Sequence, residues 1–530
     1  MLYSFRNCGY GLVVEHVLAK DETGVRFSLS AQNAMQLRPS QIPQEVTRVT
    51  GTLEKAGFEA WVVGGCVRDL LLDRTPKDWD VTTNATPEQI QGLFENTYYT
   101  NEFGTVGVVI KDVVATAEGG VPPKAVIEVT PYRLEGKYSD ARRPDSVVFS
   151  QKIEDDLKRR DFTINAMAYS ASRGDLLDLY GGIKDISAGW VRAVGEPQER
   201  FAEDALRILR AVRISAELDF KIEPRTEAAM RDCATQLEKI SKERIRDEFV
   251  RILNSTQPKN ALILSHKLGI LRYIAPELEQ GIGVEQNQAH SFDVFEHNLR
   301  TLQHAADKDW PLLVRLAAVF HDVGKPKTRR WSDEKRDWTF HGHDVVGARM
   351  TKKNLEDLKF SRETIDKVSN LVRWHMFFSD PAVVTLSAVR RIVTNVGKEH
   401  IWDLVNLRIC DRIGTGRPKE QPFRLRKYQA MIEQAMRDPI SVGMLKIDGG
   451  RILQMGEKAG PRIGWVLHAL LEEVLEDPTK NTDEYLENRT KELLQLSDKD
   501  LRAIGEEGKE KKEAAEEAEI KDIQKKYFVD

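Results

Sequence analysis

The stretch VVGGCVRDLLLDRTPKDWDVTT, from Val62 to Thr83, decides the fold of the first domain. Its apolar start predicts a strand, and the Gly-Gly pair predicts a turn. The apolar residues that follow at helical spacing predict an amphipathic helix. A polar loop follows, and then a short second strand that carries Asp78 and Asp80. Because side chains alternate along a strand, the two aspartates are predicted to point to the same face.

Two neighbouring carboxylates repel each other unless a cation lies between them. The pair suits Mg²⁺, which prefers oxygen ligands and keeps substrate phosphates in its shell. Gly64 and Gly65 at the helix start let the backbone approach an anion, which a helix N-terminus favours, and Arg68 follows on the first turn. Either feature alone is typical of an ordinary loop, but their order and short spacing together indicate nucleotide chemistry.

Length and composition limit the class of protein. A chain of 530 residues predicts several domains, and a net charge of −4 predicts that any nucleic-acid surface is a local patch. Four scattered cysteines without a CxxC pair indicate a reducing compartment. No apolar run approaches the ~18–20 residues of a membrane span, and no export signal is evident. We therefore predict a cytoplasmic protein with no membrane partner.

Further candidate residues follow the first stretch. Glu128 lies on a predicted strand from 125 to 130 and is a candidate third carboxylate, although an edge-strand glutamate fits the spacing equally well. The segment IEDDLKRRDFTINAMAY, residues 153–169, is predicted to be one helix. On it, the Arg-Arg-Asp string at residues 159–161 and Asn165 one turn later form a polar group beside an apolar face. The usual role of such a string is a solvated helix face.

A second polar group lies on a predicted single helix from Phe201 to Arg213. Residues three apart share a helix face, so Asp204 and Arg207 are predicted neighbours. Arginine presents donors and aspartate acceptors, so the pair can offer a complementary edge to a nucleotide base. We expect Arg210 and Arg213 to reach the triphosphate. The ordinary alternative is a surface ion pair worth only a few tenths of a kcal/mol.

A histidine-rich group appears in the second half of the chain. His321 and Asp322 of the string HDVGKP follow a predicted apolar helix, Leu312 to Phe320. The candidate metal ligands, in chain order, are His297, His321, Asp322, His343, His375 and Asp411. Imidazole and carboxylate ligands suit a divalent ion, including transition metals. Two ions would give the arrangement used for phosphoester hydrolysis. A single histidine would more often be structural, but this ordered set indicates a metal centre.

The motifs together resemble a known family. GG-x-V-R-D followed by D-W-D, then R-R-D, then E-D-x-x-R at Glu203 to Arg207, resemble the class II tRNA CCA-adding enzymes and bacterial poly(A) polymerases. The HDVGK string resembles the HD phosphohydrolase superfamily. The resemblance covers roughly residues 40–500. It implies template-independent addition of C, C and A to the 3′ end of tRNA from CTP and ATP. It also implies a second, HD-type phosphohydrolase activity on RNA ends or nucleotides.

The resemblance implies a role for each matching residue. Asp78, Asp80 and, as a helper, Glu128 would hold Mg²⁺ and are the candidate catalytic residues. The candidate nucleotide-binding residues are Gly64, Gly65, Arg68, Arg159, Arg160, Asp161, Asn165, Asp204, Arg207, Arg210 and Arg213. Among these, Asp204 and Arg207 would read the base and the others would hold phosphates or support the residues that do.

Alternatives remain at this stage. A CC-adding enzyme, an A-adding enzyme and a poly(A) polymerase share these head motifs, and the intact loop from Arg133 to Pro144 favours full CCA addition. From another class, the HD site could be the main activity, with the head as a regulatory module. A non-catalytic RNA-binding protein would require broken motifs, and none is broken.

The predicted fold class is α+β, with a small mixed-sheet nucleotidyltransferase head and a mostly α-helical remainder. The predicted parts are an N-terminal extension (1–40), the head (41–190), a helical neck and body (191–285), an HD metal-dependent domain (286–435), a helical tail that binds tRNA (436–504) and a charged C-terminal helix or tail (505–530). Nothing in the sequence indicates an oligomeric state.

Overall fold

The structure is a computed structural model that describes residues 37–100, 104–110, 125–136, 147–287, 291–377 and 384–506. Three predictions concern residues mostly or wholly outside these ranges: the N-terminal extension, the loop between 133 and 144, and the charged C-terminal segment. The described residues form two compact units that meet in sequence between Glu196 and Pro197.

The first unit is built on a seven-stranded mixed sheet with the order β3-β4-β5-β2-β1-β8-β9. Only β2 and β5 run parallel to each other; the other neighbours are antiparallel. The strands of this unit are β1 (Ala60–Val63), β2 (Asp80–Thr83), β3 (Thr97–Tyr99), β4 (Val106–Ile110), β5 (Ala125–Pro131), β6 (Arg133–Glu135), β7 (Val147–Phe149), β8 (Met167–Tyr169), β9 (Leu176–Asp178) and β10 (Trp190–Val191). This arrangement confirms the predicted mixed sheet, with more strands than the sequence indicated.

Helices cover the sheet and bury its apolar residues. The helices of this unit are Gln44–Lys55, Gly65–Leu71, Pro87–Leu93, Ile153–Lys158 and Gly182–Ala188, with 3₁₀ turns at Pro39–Gln41 and Thr163–Asn165. One core cluster joins Val63 and Ala168 of the sheet to Ile153 and Leu157 of a helix, with Tyr132 fully buried between them. Burying one large apolar side chain stabilises the folded state by roughly 1.5–3 kcal/mol. The buried side chains of this cluster therefore hold the helix Ile153–Lys158 against the central strands.

Two predicted elements of this unit are wrong in detail. The second strand begins at Asp80, so Asp78 lies in the bend before it. The helix predicted over 153–169 ends at Lys158, and β8 follows the 3₁₀ turn. The reason lies at Asp161, whose Oδ1 accepts from the backbone N–H of Phe162 at 2.8 Å. Such local bonds compete with the helical ladder and end it.

The second unit is almost entirely helical, which confirms the predicted α+β class. Its helices are Pro197–Glu203, Leu206–Leu218, Pro224–Cys233, Lys242–Leu253, Pro258–Lys267, Pro276–Glu279, Val294–Asp307, Leu312–Phe320, Lys325–Thr328, His343–Asp357, Arg362–Trp374, Leu386–Val396, Ile401–Gly414, Phe423–Ala435, Gly449–Gln454, Pro461–Glu476, Asp483–Leu494 and Asp498–Glu506. The remaining elements are 3₁₀ turns at Ala234–Lys239, Leu271–Tyr273, Val442–Met444 and Pro478–Lys480, and strands β11 (Lys221–Ile222), β12 (Arg330–Ser332) and β13 (Asp337–Thr339). Within the described ranges, no helix is long and apolar enough to cross a membrane.

The predicted single helix from Phe201 to Arg213 is also wrong. The chain forms two helices, Pro197–Glu203 and Leu206–Leu218, with a break at Asp204 and Ala205. The Asp204 carboxylate accepts from the backbone N–H of Leu206 at 3.0 Å. Aspartate is a favoured residue at helix starts because it satisfies a backbone donor that has no helical partner. Asp204 therefore stands at a junction between helices, not inside one.

Candidate functional site

Three carboxylates lie close together in the first unit, two on the sheet and one in the bend before β2. Strand β2 runs parallel to β5 with Asp80 in register with Glu128, and Asp78 lies two residues before Asp80. The side chain of Glu128 is exposed. Partial desolvation and then the negative charges of Asp80 and Asp78 raise the pKa of Glu128. A divalent cation would relieve this repulsion, so the donor set fits a metal with oxygen ligands.

The glycine turn lies directly beside these carboxylates. Gly64 has a φ of +84°, which favours glycine, and a Cβ placed there would lie 2.9 Å from Nη1 of Arg160 and 3.3 Å from Oδ2 of Asp80. The missing side chain thus lets an arginine and an aspartate approach one turn of backbone. The structure brings together the predicted phosphate cradle, one arginine of the R-R-D string and one of the candidate metal-binding carboxylates.

A chain of hydrogen bonds positions Arg68. Its Nη1 donates to Oδ1 of Asn165 at 2.8 Å, and its Nε donates to Asp69 at 2.9 Å. The Asn165 amide in turn donates to Asp161 at 3.1 Å. Asn165 and Asp161 are both buried. Their observed partners are protein groups, so they orient Arg68 through side-chain contacts.

Asp156 is a residue that the sequence reasoning missed. It is fully buried, and its two carboxylate oxygens accept from both arginines of the R-R-D string. Arg159 contacts Oδ1 through Nε at 2.9 Å, and Arg160 contacts Oδ2 through Nη2 at 3.0 Å. The signal in the sequence was an acidic residue three and four positions before two arginines, the spacing of helical ion pairs.

The second unit holds the candidate base-reading residues. Asp204 forms an ion pair with Arg244 at 2.7 Å. Arg207 contacts the Glu203 carboxylate through Nη1, and the same nitrogen donates to the carbonyl of Arg200 at 2.9 Å. Asp204 and Arg207 therefore each have a different charged partner, where the sequence predicted that they would face each other as neighbours on one helix.

The two other arginines of this segment differ in their surroundings. Arg213 is buried and pairs with Glu248 at 2.7 Å and with Glu217 at 3.1 Å. Arg210 is half-buried. The pair with Glu248 ties two helices together, whereas Glu217 lies one turn further along the same helix as Arg213. A contact of Arg213 or Arg210 with a triphosphate stays a prediction.

The structure brings all six predicted ligands of the histidine-rich group together. They form two sets of three, and within each set the ligand atoms lie within 4.8 Å of one another. The first set is His297, His321 and Asp411, and the second is Asp322, His343 and His375. Asp322 joins the sets, because its Oδ2 lies 3.1 Å from Nε2 of His297 and its Oδ1 lies 3.3 Å from Nε2 of His343. All six residues are buried.

Backbone carbonyls orient three of these histidines. Nδ1 of His321, His343 and His375 lies 2.9, 2.6 and 2.6 Å from the carbonyl three residues earlier. A donor at Nδ1 leaves Nε2 as the metal-binding nitrogen. Nε2 of His343 and of His375 is buried without a hydrogen-bond partner among the described residues. Because buried polar atoms are normally satisfied, these orphaned nitrogens fit a metal centre.

Both carboxylates of the cluster are ionised despite their burial. Burial opposes ionisation of Asp322, yet the neighbouring His321 imidazole and the ammonium of Lys325 hold the pKa of Asp322 well below its ordinary value. Asp411, paired with Arg408 at 2.6 Å, likewise has a lowered pKa despite its burial. Both carboxylates are thus ready ligands. They line a cavity of about 800 Å³ with several arginines at its wall, which suits an anionic substrate.

Comparison with known proteins identifies the family. The Poly A polymerase head domain matches residues 60–192, the probable RNA and SrmB-binding site of polymerase A matches 219–282, and the HD domain matches 294–414. The CCA-adding enzyme of Leuconostoc mesenteroides subsp. mesenteroides is 32% identical over 473 residues, covering 86% of this chain and 99% of that protein. That of Ligilactobacillus salivarius is 45% identical over 330 residues, covering 61% and 75%.

A solved structure agrees with these matches. The crystal structure of the Bacillus stearothermophilus CCA-adding enzyme in complex with CTP is 26% identical, with a TM-score of 0.61. The similarity covers 85% of this chain and 98% of that one. A relative above 30% identity that is matched over almost its whole length places this chain in the same family. The chain belongs to the family of CCA-adding enzymes.

Proposed function

We propose that this protein adds C, C and A in turn to the 3′ end of tRNA, using CTP and ATP as substrates. The observation that carries the proposal is the carboxylate group on the adjacent central strands β2 and β5, where Asp80 is in register with Glu128 and lies beside the Gly64 turn. Membership of the CCA-adding enzyme family supports the same reaction.

Each part of the site has a role in this proposal. Asp78 and Asp80 would hold two Mg²⁺ ions, and Glu128 would help to hold the first. When bound, such ions lower the pKa of the attacking ribose hydroxyl and stabilise the leaving pyrophosphate. Gly64, Gly65 and Arg68 hold the triphosphate, supported by the arginines that Asp156 orients.

Base selection and tRNA binding are assigned to the helical unit. Asp204 and Arg207 select the incoming base by hydrogen bonds to its edge, without a nucleic-acid template. The helical tail and body hold the acceptor arm through its sugar–phosphate backbone, because an enzyme that serves every tRNA must ignore the sequence of the arm.

The deciding experiment measures product length. A tRNA transcript that lacks CCA is incubated with CTP alone and then with CTP and ATP, and the products are separated at single-nucleotide resolution. We expect two additions with CTP and one more with ATP. An Asp78→Ala variant should lose all addition, whereas Glu95→Ala, which removes an exposed carboxylate of the same unit, should not.

Other products would identify the alternatives. Addition that stops after two C residues would indicate a CC-adding enzyme. Addition of A only to a tRNA that already ends in CC would indicate an A-adding enzyme, and a long A tail would indicate a poly(A) polymerase. Full activity in Asp78→Ala would contradict the assignment of the head as the catalytic unit.

We propose hydrolysis of phosphate esters as a second activity, located at the HD cluster. The specific observation in its favour is the set of six buried ligands, four of which (Asp322, His343, His375 and Asp411) line a cavity with several arginines at its wall. An Asp322→Ala variant should lose phosphate release from RNA 3′ ends or from 2′,3′-cyclic phosphates while it keeps CMP and AMP addition. Equal hydrolysis by the variant and the wild type would exclude this site as its source.

A further inference from the structure

A short hairpin precedes the candidate metal ligand His343 in the chain. Its strands β12 and β13 pair antiparallel, with Trp331 directly opposite Trp338. The centroids of the two indole rings lie 5.2 Å apart and the ring planes meet at 78°, which is an edge-to-face contact. Cζ of Arg329 lies over the Trp338 ring, 3.6 Å from its centroid, as in a cation–π contact. Two neighbours thus fix the orientation of the Trp338 ring.

The second strand of the hairpin leads directly to the metal cluster. Trp338 lies five residues before His343. Nδ1 of His343 lies 2.6 Å from the carbonyl oxygen of Phe340, which is itself buried. Five residues of fully extended chain span at most about 18 Å. The backbone of Trp338 is therefore held within that distance of the backbone of His343.

Trp338 lines the same cavity as four of the candidate metal ligands. The cavity measures about 800 Å³, which is within the range of pockets that bind small molecules. Trp338 is half-buried, whereas Phe340 and Phe377 of the same wall are buried. Of the tryptophan and phenylalanine rings in the described part of the wall, Trp338 is therefore the most open to a ligand.

Positive charge surrounds this ring. The basic residues that line the cavity are Lys325, Lys335, Arg408, Arg412, Arg417 and Arg424. Besides the candidate ligands Asp322 and Asp411, the acidic residue in the described part of the wall is Asp337. A cleft lined mainly by one sign of charge concentrates ligands of the opposite sign, so this wall favours a phosphate group.

The cavity thus has a part for each end of a nucleotide. The candidate metal ligands and the basic wall suit a phosphate, but a phosphate ester without a base would leave the Trp338 ring without a partner. Every base has a π-face, so an aromatic ring binds any of the four bases without reading the sequence. That property suits a site that accepts the ends of different RNA molecules.

We propose that Trp338 binds the nucleobase of the molecule hydrolysed at the HD cluster, and that this contact makes the site selective for phosphate esters of nucleosides. The inference rests on the second activity proposed above. Trp338 contacts the base, the basic wall attracts the phosphate, and the ligand cluster lies where the phosphate reacts. Arg329 and Trp331 are positioning residues, because they hold the Trp338 ring in place.

The test compares a cyclic phosphate that has a base with one that lacks it. 2′,3′-Cyclic AMP and glycerol 1,2-cyclic phosphate carry the same reacting group. In both, water supplies an oxygen to phosphorus, one P–O bond of the ring breaks, and the proton goes to the oxygen that leaves. In Trp338→Leu, kcat/KM for 2′,3′-cyclic AMP should fall about fivefold to 150-fold, as for one lost base–aromatic contact. The value for glycerol 1,2-cyclic phosphate should stay at that of the wild type.

Two further variants complete the comparison. Trp338→Phe keeps an aromatic ring, so its kcat/KM for 2′,3′-cyclic AMP should lie between those of the wild type and Trp338→Leu. Trp402→Leu is the matched control, because Trp402 is half-buried on the helix Ile401–Gly414 and is not among the described residues that line the cavity. It should keep the wild-type values for both substrates.

Photolabelling tests the same contact without hydrolysis. 8-Azidoadenosine 2′,3′-cyclic phosphate carries its reactive group on the base, and mass spectrometry identifies the labelled peptides. We expect label on the peptide that contains Trp338, and loss of this label when unmodified 2′,3′-cyclic AMP competes. Label confined to other peptides would overturn the inference.

The kinetic outcomes separate the inference from the activity on which it rests. An equal fall for both substrates in Trp338→Leu would overturn the inference, because the ring would then only support the metal cluster; no fall for either would do the same. If the wild type hydrolyses only 2′,3′-cyclic AMP, a Trp338→Phe variant no better than Trp338→Leu counts against the base contact. Failure of the wild type to hydrolyse either substrate would instead overturn the second activity, and photolabelling then decides whether Trp338 contacts a base.

Discussion

Replacing Asp156 by asparagine tests how the head holds its two arginines. The buried carboxylate accepts from Arg159 and Arg160 at once. Asparagine has nearly the same shape, but it keeps one acceptor oxygen and places an amide donor where the second oxygen was. One guanidinium then loses its partner and faces another donor. We expect the helix Ile153–Lys158 to loosen and Arg160, which lies beside the Gly64 turn, to lose its fixed position.

The magnitude follows from the burial of the group. Breaking a buried ion pair by removing one partner costs about 3–5 kcal/mol. The side chains of Arg159 and Arg160 keep 18% and 16% of their surface exposed, so water compensates part of the loss. We therefore expect a destabilisation of about 3 kcal/mol, which is roughly a 150-fold change in the opening equilibrium.

Hydrogen exchange measures this change in the full-length protein. In Asp156→Asn, peptides from residues 150–170 should take up deuterium about 150-fold faster than in the wild type. The KM for CTP should also rise in this variant. Glu154→Gln is the matched control, because Glu154 is exposed on the same helix. Exchange and kinetics equal to the wild type in Asp156→Asn would refute the assigned role.

The effect should depend on pH. Burial alone would raise the pKa of Asp156, but the positive charges of Arg159 and Arg160 outweigh it and lower that pKa. A carboxylate whose pKa is lower in the folded state stabilises the fold at any pH above its unfolded-state pKa of about 3.9. This stabilisation is lost as the pH falls through the folded-state pKa. The difference in exchange between the wild type and Asp156→Asn should therefore be constant near neutral pH and shrink below about pH 4.

Three further predictions use other parts of the molecule. Gly64→Ala should lower kcat/KM about tenfold or more, because the backbone there favours glycine at a cost of roughly 1–3 kcal/mol for other residues; Gly51→Ala, with open space around it, should not. His375→Ala should reduce the metal bound per chain, measured by elemental analysis, whereas the exposed His468→Ala should not. Thr86→Ala should destabilise the first unit by about 1 kcal/mol in thermal unfolding, because the hydroxyl caps a helix.

Much of the fold could be predicted from short-range patterns. Apolar spacing predicted the helix Leu312–Phe320 with its exact ends. The two errors in helix length share one cause. At Asp161 and Asp204 a side chain bonds to nearby backbone and ends a helix that apolar spacing alone would continue.

The sequence by itself determined the chemistry of both candidate sites, because aspartates, glycines and histidines in a given order limit which ligands they can bind. Only the tertiary structure decided which groups act together. The register of Asp80 with Glu128 and the pairing of Asp204 with Arg244 join residues 48 and 40 positions apart. Neither contact leaves a local pattern, since strand pairing and helix packing depend on the whole core and not on the residues between the partners.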